Sequence, residues 1–116
     1  MLGTSLKTVG IDHTVLHVSD LERSKRFYMD ILGMTMNHES SWQAFLWCGN
    51  QQVALFVGPE DKALTSGVEL NHMALNLDTG TKQEVRQYLE GHGIKVFGRP
   101  GDETCLYFED PDGHRL

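Results

Sequence analysis

Two similar stretches decide the fold: IDHTVLHVSD at residues 11–20 and LNHMALNLD at residues 70–78. In both stretches apolar residues alternate with other residues, which is the pattern of a β-strand whose two faces have different surroundings. Each stretch carries a histidine at the same point, His13 in the first and His72 in the second. We therefore interpret the chain as an internal repeat, with one histidine at the start of each copy.

A helical pattern follows each of these strands, with apolar side chains at steps of three and four residues. A helix needs a capping residue at its start and is commonly ended by glycine. The candidate caps are Ser19 or Asp20 for the first helix and Thr79 or Thr81 for the second, and the candidate stops are Gly33, Gly91 and Gly93. The sequence thus predicts a strand followed by a helix in each copy.

Short strand-like runs follow each helix, at 34–39, 42–48 and 52–57 in the first copy and at 94–97, 104–109 and 114–116 in the second. Between the last two runs, residues 110–113 read Asp-Pro-Asp-Gly, which predicts a type I turn. We predict an α+β fold in a single domain, 1–116. It consists of two tandem βαβββ modules, 8–58 and 68–116, which are joined by the linker 59–67 and form a curved mixed sheet with an internal cleft.

Length and composition exclude several classes of protein. The chain has 116 residues, which predicts one domain, and 40% of them are hydrophobic, which argues against disorder. With 10 basic and 16 acidic residues the net charge is −6, so we expect no nucleic-acid or membrane-surface partner. No apolar run or leader predicts a membrane span or export. We expect a cytoplasmic protein in which Cys48 and Cys105 are free thiols.

The motifs around these histidines resemble the vicinal oxygen chelate superfamily. The resemblance rests on His13, His72, the run from Leu21 to Gly33, and LYFEDPDGH at residues 106–114, and it covers about Val9 to Leu116. This superfamily includes glyoxalase I, bleomycin-resistance proteins, extradiol dioxygenases and fosfomycin-resistance enzymes. The resemblance implies the fold predicted above, but it does not select one reaction.

The resemblance also implies a divalent metal ion in the cleft. His13 and His72 fall on the two histidine ligand positions of the family. The third ligand is usually a glutamate a few residues after the Asp-Pro-Asp-Gly turn, and the sequence given reaches Leu116 at about that point. Two alternatives follow: the chain continues with the glutamate, or the site lacks a third protein ligand.

The residue types themselves fit such a site. Two imidazoles and a carboxylate with open positions suit Fe(II) and also Mn, Ni or Zn, and two substrate oxygens can complete the shell. His17 shares a face with His13 but lies roughly 13 Å along the strand, too far for one metal. We predict that His17 contacts substrate or lies at a solvated edge. The other histidines, predicted to lie at the surface in or beside turns, are His38, His92 and His114.

Four further side chains are candidates for the cleft. Tyr107 alternates with Leu106 and Phe108, and in the family this tyrosine commonly points at the metal-bound substrate, so we predict a catalytic role. Phe45 and Trp47 share one face of the third strand, with Trp42 and Leu46 on the other. We predict that Phe45, Trp47 and Cys105 contact substrate, although a strand cysteine is also a common small buried group.

Two functions remain open. The first is a metal-dependent enzyme acting on a compound with two adjacent oxygens, by lyase, isomerase, dioxygenase or thiol-transfer chemistry. The alternative is a metal-free protein of the bleomycin-resistance type that binds a drug or metabolite. Either function suggests a homodimer, in which His13 of one chain can meet His72 of the other. The segment 98–104 lacks the additional histidine of extradiol dioxygenases, and only its Thr104 resembles the Lys and Ser of the glutathione-transferring fosfomycin enzyme.

Overall fold

The computed structural model describes residues 6–58, 72–78, 80–99 and 101–116. The described elements are β1 His13–Val18, α1 Leu21–Lys25, a π-helical turn Arg26–Ile31, β2 Thr35–Glu39, β3 Gln43–Cys48, β4 Gln51–Val57, α2 Lys82–Gly91, β5 Phe97–Arg99 and β6 Asp102–Tyr107. The first module therefore has the predicted βαβββ order, and the class is α+β, as predicted. The predicted linker 59–67 lies outside the described residues.

The strands of the first module form one mixed sheet in the order β1-β4-β3-β2. β1 is parallel to β4, whereas β3 is antiparallel to both of its neighbours. A parallel pair needs a crossover connection, and α1 with the π-helical turn supplies part of it. In the second module β5 and β6 form an antiparallel pair.

The helix after β1 starts and stops at residues that the sequence marks. The side chain of Asp20 accepts a hydrogen bond from the amide of Arg23 at 3.0 Å, so Asp20 is the N-cap. The helix then widens, because the amide of Leu32 bonds to the carbonyl of Phe27, five residues earlier. Gly33 follows with φ 80°, a left-handed conformation that glycine adopts without strain. The predicted helix and its end are thus confirmed.

The two faces of the first-module sheet have opposite character. On one face, strand side chains pack under the helical layer; Leu16, Val18, Leu46 and Leu55 are fully buried there, as is Tyr28 of the π-helical turn. On the other face, His13, Val15 and His17 of β1 are exposed. We call this second surface the open face. The alternation predicted for β1 is therefore confirmed.

A β-bulge in β2 changes which residues reach the open face. Met36 pairs with Leu46, but the next pair is His38 with Phe45, so Asn37 is an extra residue. Without the bulge, His38 would lie on the same buried face as Met36, because side chains alternate along a strand. The bulge instead brings His38 onto the open face.

The Asp-Pro-Asp-Gly turn joins the two modules. The predicted turn is confirmed, since the amide of Gly113 bonds to the carbonyl of Asp110 at 3.0 Å. The buried hydroxyl of Tyr28 donates to Asp110 Oδ2 at 2.7 Å. Asp112 accepts from the amide and hydroxyl of Ser19 and from the guanidinium of Arg23. The turn thus fixes the C-terminal part of the chain to the first helix.

The strand predicted at 70–78 is wrong for its described part, because residues 72–77 form no strand. The amide of Met73 donates to the carbonyl of Arg115, so this stretch lies beside the final residues. There, residues 114–116 form one isolated bridge, between Glu109 and Arg115, instead of a strand. A run of three residues offers few backbone groups for pairing with another strand, whereas β4 has seven residues.

The second helix begins as predicted at one of its two candidate caps. Thr81 accepts from the amide of Glu84, and the Glu84 carboxylate accepts from the amide of Thr81, which is a capping box. α2 then spans ten residues. Neither it nor any other helix among the described residues has the length and apolarity needed to cross a membrane.

Candidate functional site

The open face is the surface on which most of the predicted site residues of the first module meet. Its rows follow from the strand register, in which His13 is aligned with Gln52 of β4, and Gln52 with Trp47 of β3. In the next row Val15 and Phe45 flank Ala54, whose small side chain is fully buried between them. The predicted pairing of Phe45 and Trp47 on one face is therefore confirmed.

His13 is held on this face by contacts to two residues. Its Nδ1 atom lies 2.7 Å from Oδ2 of Asp12. Its ring meets the ring of Phe45 nearly edge-on, with centroids 5.3 Å apart and planes at 68°. The side chain remains 40% exposed. The hydrogen bond to Asp12 engages Nδ1 and not the other ring nitrogen, Nε2.

Phe45 is the centre of an aromatic group on the open face. His38 stacks on it at 4.5 Å and 16°, and Phe56 meets it at 5.8 Å. Trp42 packs against Phe56 at 5.3 Å and therefore reaches the same face. The predicted placement of Trp42 on the opposite face is wrong, because Trp42 precedes β3 and strand alternation does not govern its direction.

Two of these open-face contacts cannot be seen in the sequence pattern. The bulge brings His38 beside Phe45, although the sequence predicted a turn residue. In the same place the side-chain nitrogen Nδ2 of Asn37 donates to Oε1 of Gln52 at 2.8 Å. No periodic signal marks a bulge, because the extra residue interrupts the alternation on which the prediction depends.

His17 lies at the far end of the open face, aligned with Phe56. Its side chain is exposed, and its carbonyl lies 2.7 Å from Nε2 of His114. His114 was predicted as a surface residue, but it is half-buried and bridges the two modules through this contact. The role of His17 in binding substrate stays a prediction.

The second module places Tyr107 beside His72. The two rings lie edge-to-face at 5.7 Å, with planes at 87°. His72 is exposed, whereas Tyr107 is half-buried and stacks on Phe97 at 6.0 Å. Cys105 is also half-buried in β6 and is not in a disulfide. The predicted catalytic tyrosine and the predicted metal ligand are therefore neighbours.

The residues present have the right chemistry for a divalent metal but do not form a complete site within one chain. His13 presents a partly exposed imidazole whose Nε2 is not used by the bond to Asp12, and imidazole is a usual ligand for Zn, Fe and Ni. In the ranges described, no three or more His, Cys, Asp and Glu side chains lie close enough together to hold an ion. Of the two predicted histidine ligands, His13 lies in β1 of the first module and His72 lies outside the strands in the second module.

The chain matches the family model of the Glyoxalase/Bleomycin resistance protein/Dioxygenase superfamily over residues 10–116, and it belongs to this superfamily. The vicinal oxygen chelate resemblance stated from the sequence is thereby confirmed.

Three enzymes of this superfamily are similar to the chain in sequence. The chain is similar to glutathione transferase FosA of Serratia marcescens, with 31% identity over 91% of this chain and 77% of FosA. It is 29% identical to metallothiol transferase FosB of Staphylococcus epidermidis, over 96% of this chain and 81% of FosB. It is 28% identical to lactoylglutathione lyase of Haemophilus influenzae, over 90% of this chain and 87% of the lyase. By their names, two of these relatives are a glutathione transferase and a metallothiol transferase, and the third is a lactoylglutathione lyase.

A solved structure agrees on the fold. The integron cassette protein HFX_CASS4, from the mobile metagenome of a Halifax Harbour sewage outfall, superposes with a TM-score of 0.74 at 28% identity. The superposition covers 92% of this chain and 94% of that protein. The fold of that protein is therefore shared over nearly all of this chain.

Proposed function

We propose that this chain is a metal-dependent enzyme that binds a small substrate through two adjacent oxygens and transfers a thiol to it. One observation carries the proposal: each module holds one exposed histidine against an aromatic ring, His13 against Phe45 and His72 against Tyr107. These histidines are the two that the family resemblance implies as metal ligands. Among the reactions left open by the sequence, thiol transfer is supported by the similarity to FosA and FosB.

A divalent metal bound at the histidines supplies Lewis acidity, which withdraws electrons from a substrate oxygen. The residues of the chain have separate tasks. His13 and His72 provide neutral nitrogen donors, and the hydroxyl of Tyr107 donates a proton to the oxygen that leaves carbon. In the transfer, the thiol loses its proton to solvent, the thiolate forms a sulfur–carbon bond as a carbon–oxygen bond breaks, and Tyr107 regains a proton from solvent. Phe45, Trp47, Cys105 and His17 contact the remainder of the substrate.

We further propose that two copies of the chain share each site. Among the described residues of one chain, no three His, Cys, Asp or Glu side chains come together to hold an ion. A homodimer in which His13 of one copy meets His72 of the other completes the pair. The open face also has exposed aromatic surface, with Trp42 at 51% and Trp47 at 37% exposure, which a second copy or a substrate can cover. A cytoplasmic location stays a prediction.

The experiment is metal binding by the full chain, followed by a thiol-transfer assay. We expect Mn(II), Ni(II), Fe(II) or Zn(II) to bind at about one ion per chain, and binding to be lost in His13→Ala and in His72→Ala. His92→Ala is the matched control, because His92 lies exposed at the end of α2. Glutathione and cysteine are then offered with fosfomycin and with small epoxides or dicarbonyls, and consumption of the thiol is measured.

The metal-free binding function is the second candidate, favoured by the stacked aromatic group around Phe45. It predicts no metal binding by the wild type and quenching of Trp42 and Trp47 fluorescence by planar drugs. Metal binding that survives both histidine substitutions contradicts the enzyme proposal. Metal binding without any thiol consumption leaves a metal site but refutes the transferase assignment for the substrates tested.

A further inference from the structure

The residue before β1, Asp12, is placed to control the imidazole of His13. Its carbonyl accepts a hydrogen bond from the amide of Gln52 at 3.2 Å, so its backbone is fixed to the edge of the sheet. Its carboxylate oxygen Oδ2 lies 2.7 Å from Nδ1 of the next residue, His13. Because a side chain inside a strand points away from its neighbour, this contact depends on Asp12 lying just outside β1.

The contact decides which nitrogen of the ring carries the proton. A carboxylate has only acceptor atoms, so the partner nitrogen, Nδ1, must donate. In a neutral imidazole the lone pair then lies on Nε2. The edge-to-face contact with Phe45 restricts rotation of the same ring. Together the two contacts fix both the orientation of His13 and the atom that it presents.

The contact between Asp12 and His13 contributes little to the stability of the fold. The Asp12 side chain is 82% exposed, and exposed ion pairs contribute little to the free energy of unfolding. In the part of the chain that the structure describes, no other side chain is recorded as a partner of the Asp12 carboxylate. Its contact is therefore specific to His13.

We propose that Asp12 is a positioning residue that holds His13 with its Nε2 lone pair directed to the open face, ready to bind a divalent metal. This inference deepens the proposed function, on which its metal-binding part rests. A carboxylate behind a ligating imidazole fixes the tautomer and the ring direction, and its removal typically weakens metal binding by about 10- to 100-fold. We expect a loss of that size in Asp12→Asn.

The first experiment uses metal-free protein and does not depend on metal binding. Nitrogen-15 NMR at one fixed pH, at which His13 is neutral, reports which ring nitrogen of His13 is protonated. We expect protonation at Nδ1 in the wild type. In Asp12→Ala no acceptor holds the proton at Nδ1, and in Asp12→Asn the neutral amide oxygen is a weaker acceptor than a carboxylate while its NH2 group can donate to Nδ1, so both variants shift the ring toward protonation at Nε2. Asp30→Asn, which removes an exposed carboxylate on the helical layer, leaves the His13 signals unchanged.

The second experiment measures Zn(II) binding by calorimetry in the same four proteins, with His13→Ala as the background. Asp12→Asn is expected to bind about 10- to 100-fold more weakly than the wild type, and Asp30→Asn equally well. A wild-type ring protonated at Nε2, or an unchanged ring in both Asp12 variants, overturns the positioning role. Equal zinc affinity in the wild type and in Asp12→Asn also overturns it. If the tautomer depends on Asp12 but the wild type binds no metal, the proposed function fails and the positioning of His13 stands.

Discussion

The hydrogen bond between Tyr28 and Asp110 gives the most direct test of how the two modules are joined. Tyr28 is fully buried, Asp110 is 5% exposed, and the hydroxyl lies 2.7 Å from Oδ2. Tyr28→Phe removes the hydroxyl and keeps the ring, whose edge-to-face contact with Phe27 is retained. The substitution leaves one oxygen of a buried carboxylate without this donor.

The expected cost follows from the chemistry of that bond. A hydrogen bond to a charged group contributes about 1.5–3 kcal/mol. The other oxygen of Asp110 keeps its bonds to the amides of Asp112 and His114 at 3.0 and 2.7 Å, so the carboxylate is not stripped of all donors. We therefore expect the free energy of unfolding to fall by about 2 kcal/mol, which lowers Tm by roughly 5–10 °C in a domain of this size.

The assay is urea unfolding of metal-free protein at pH 7, followed by fluorescence of the tryptophans. Tyr88→Phe is the matched control, because it deletes a hydroxyl that bonds to the neutral carbonyl of Ile31 at 2.8 Å from a side chain that is half exposed. We expect that control to lose less than about 1 kcal/mol. Equal losses of unfolding free energy in the two variants would refute the reasoning, since a buried, charged acceptor would then contribute no more than an exposed, neutral one.

Three further predictions follow from the same contacts. Burial, together with the charge of Asp110, raises the pKa of Tyr28 above its usual value of 10.0, so the folded state favours the neutral phenol. This stabilisation is complete below pH 10 and is lost as the pH rises further. Phenylalanine has no hydroxyl to ionise, so Tyr28→Phe should lose less stability between pH 8 and 11, measured by urea unfolding. Replacing the N-cap in Asp20→Ala should cost about 1 kcal/mol in unfolding free energy, and Asp20→Asn much less, because an amide oxygen also caps; equal losses would contradict the capping role. His38→Ala should leave zinc affinity unchanged but weaken planar aromatic ligands on the open face, measured by tryptophan quenching, and unchanged quenching would exclude His38 from the binding surface.

The sequence predicts those parts of the fold that depend on local patterns. Alternation in β1 predicts that Leu16 and His17 lie on opposite faces, and the structure shows Leu16 buried and His17 exposed. A strand that is covered on one side buries its apolar residues on that side. Asp20 and Thr81 are recognisable caps for the same reason: an unpaired amide at a helix start needs an acceptor nearby in the chain. These predictions need no knowledge of distant residues.

The parts that could not be predicted depend on pairing between strands. The bulge that places His38 against Phe45 exists only in the register of β2 with β3, and the direction of Trp42 depends on where β3 begins. The contact of Asp12 with His13 depends on the same kind of boundary, at the start of β1. The candidate site was therefore predicted in its histidines and in Phe45, but not in the residues that orient them.

The bonds of the Asp-Pro-Asp-Gly turn also bear on how the protein is made. Tyr28 and Asp110 are 82 positions apart, and Ser19 and Asp112 are 93 apart. A ribosome therefore synthesises the whole first module before the acceptors for these hydroxyls exist. At about 5–20 residues per second, the interval is several seconds. During that time the nascent first module carries a tyrosine hydroxyl whose native partner has not yet been translated, and its final docking surface forms only when the last part of this sequence leaves the exit tunnel.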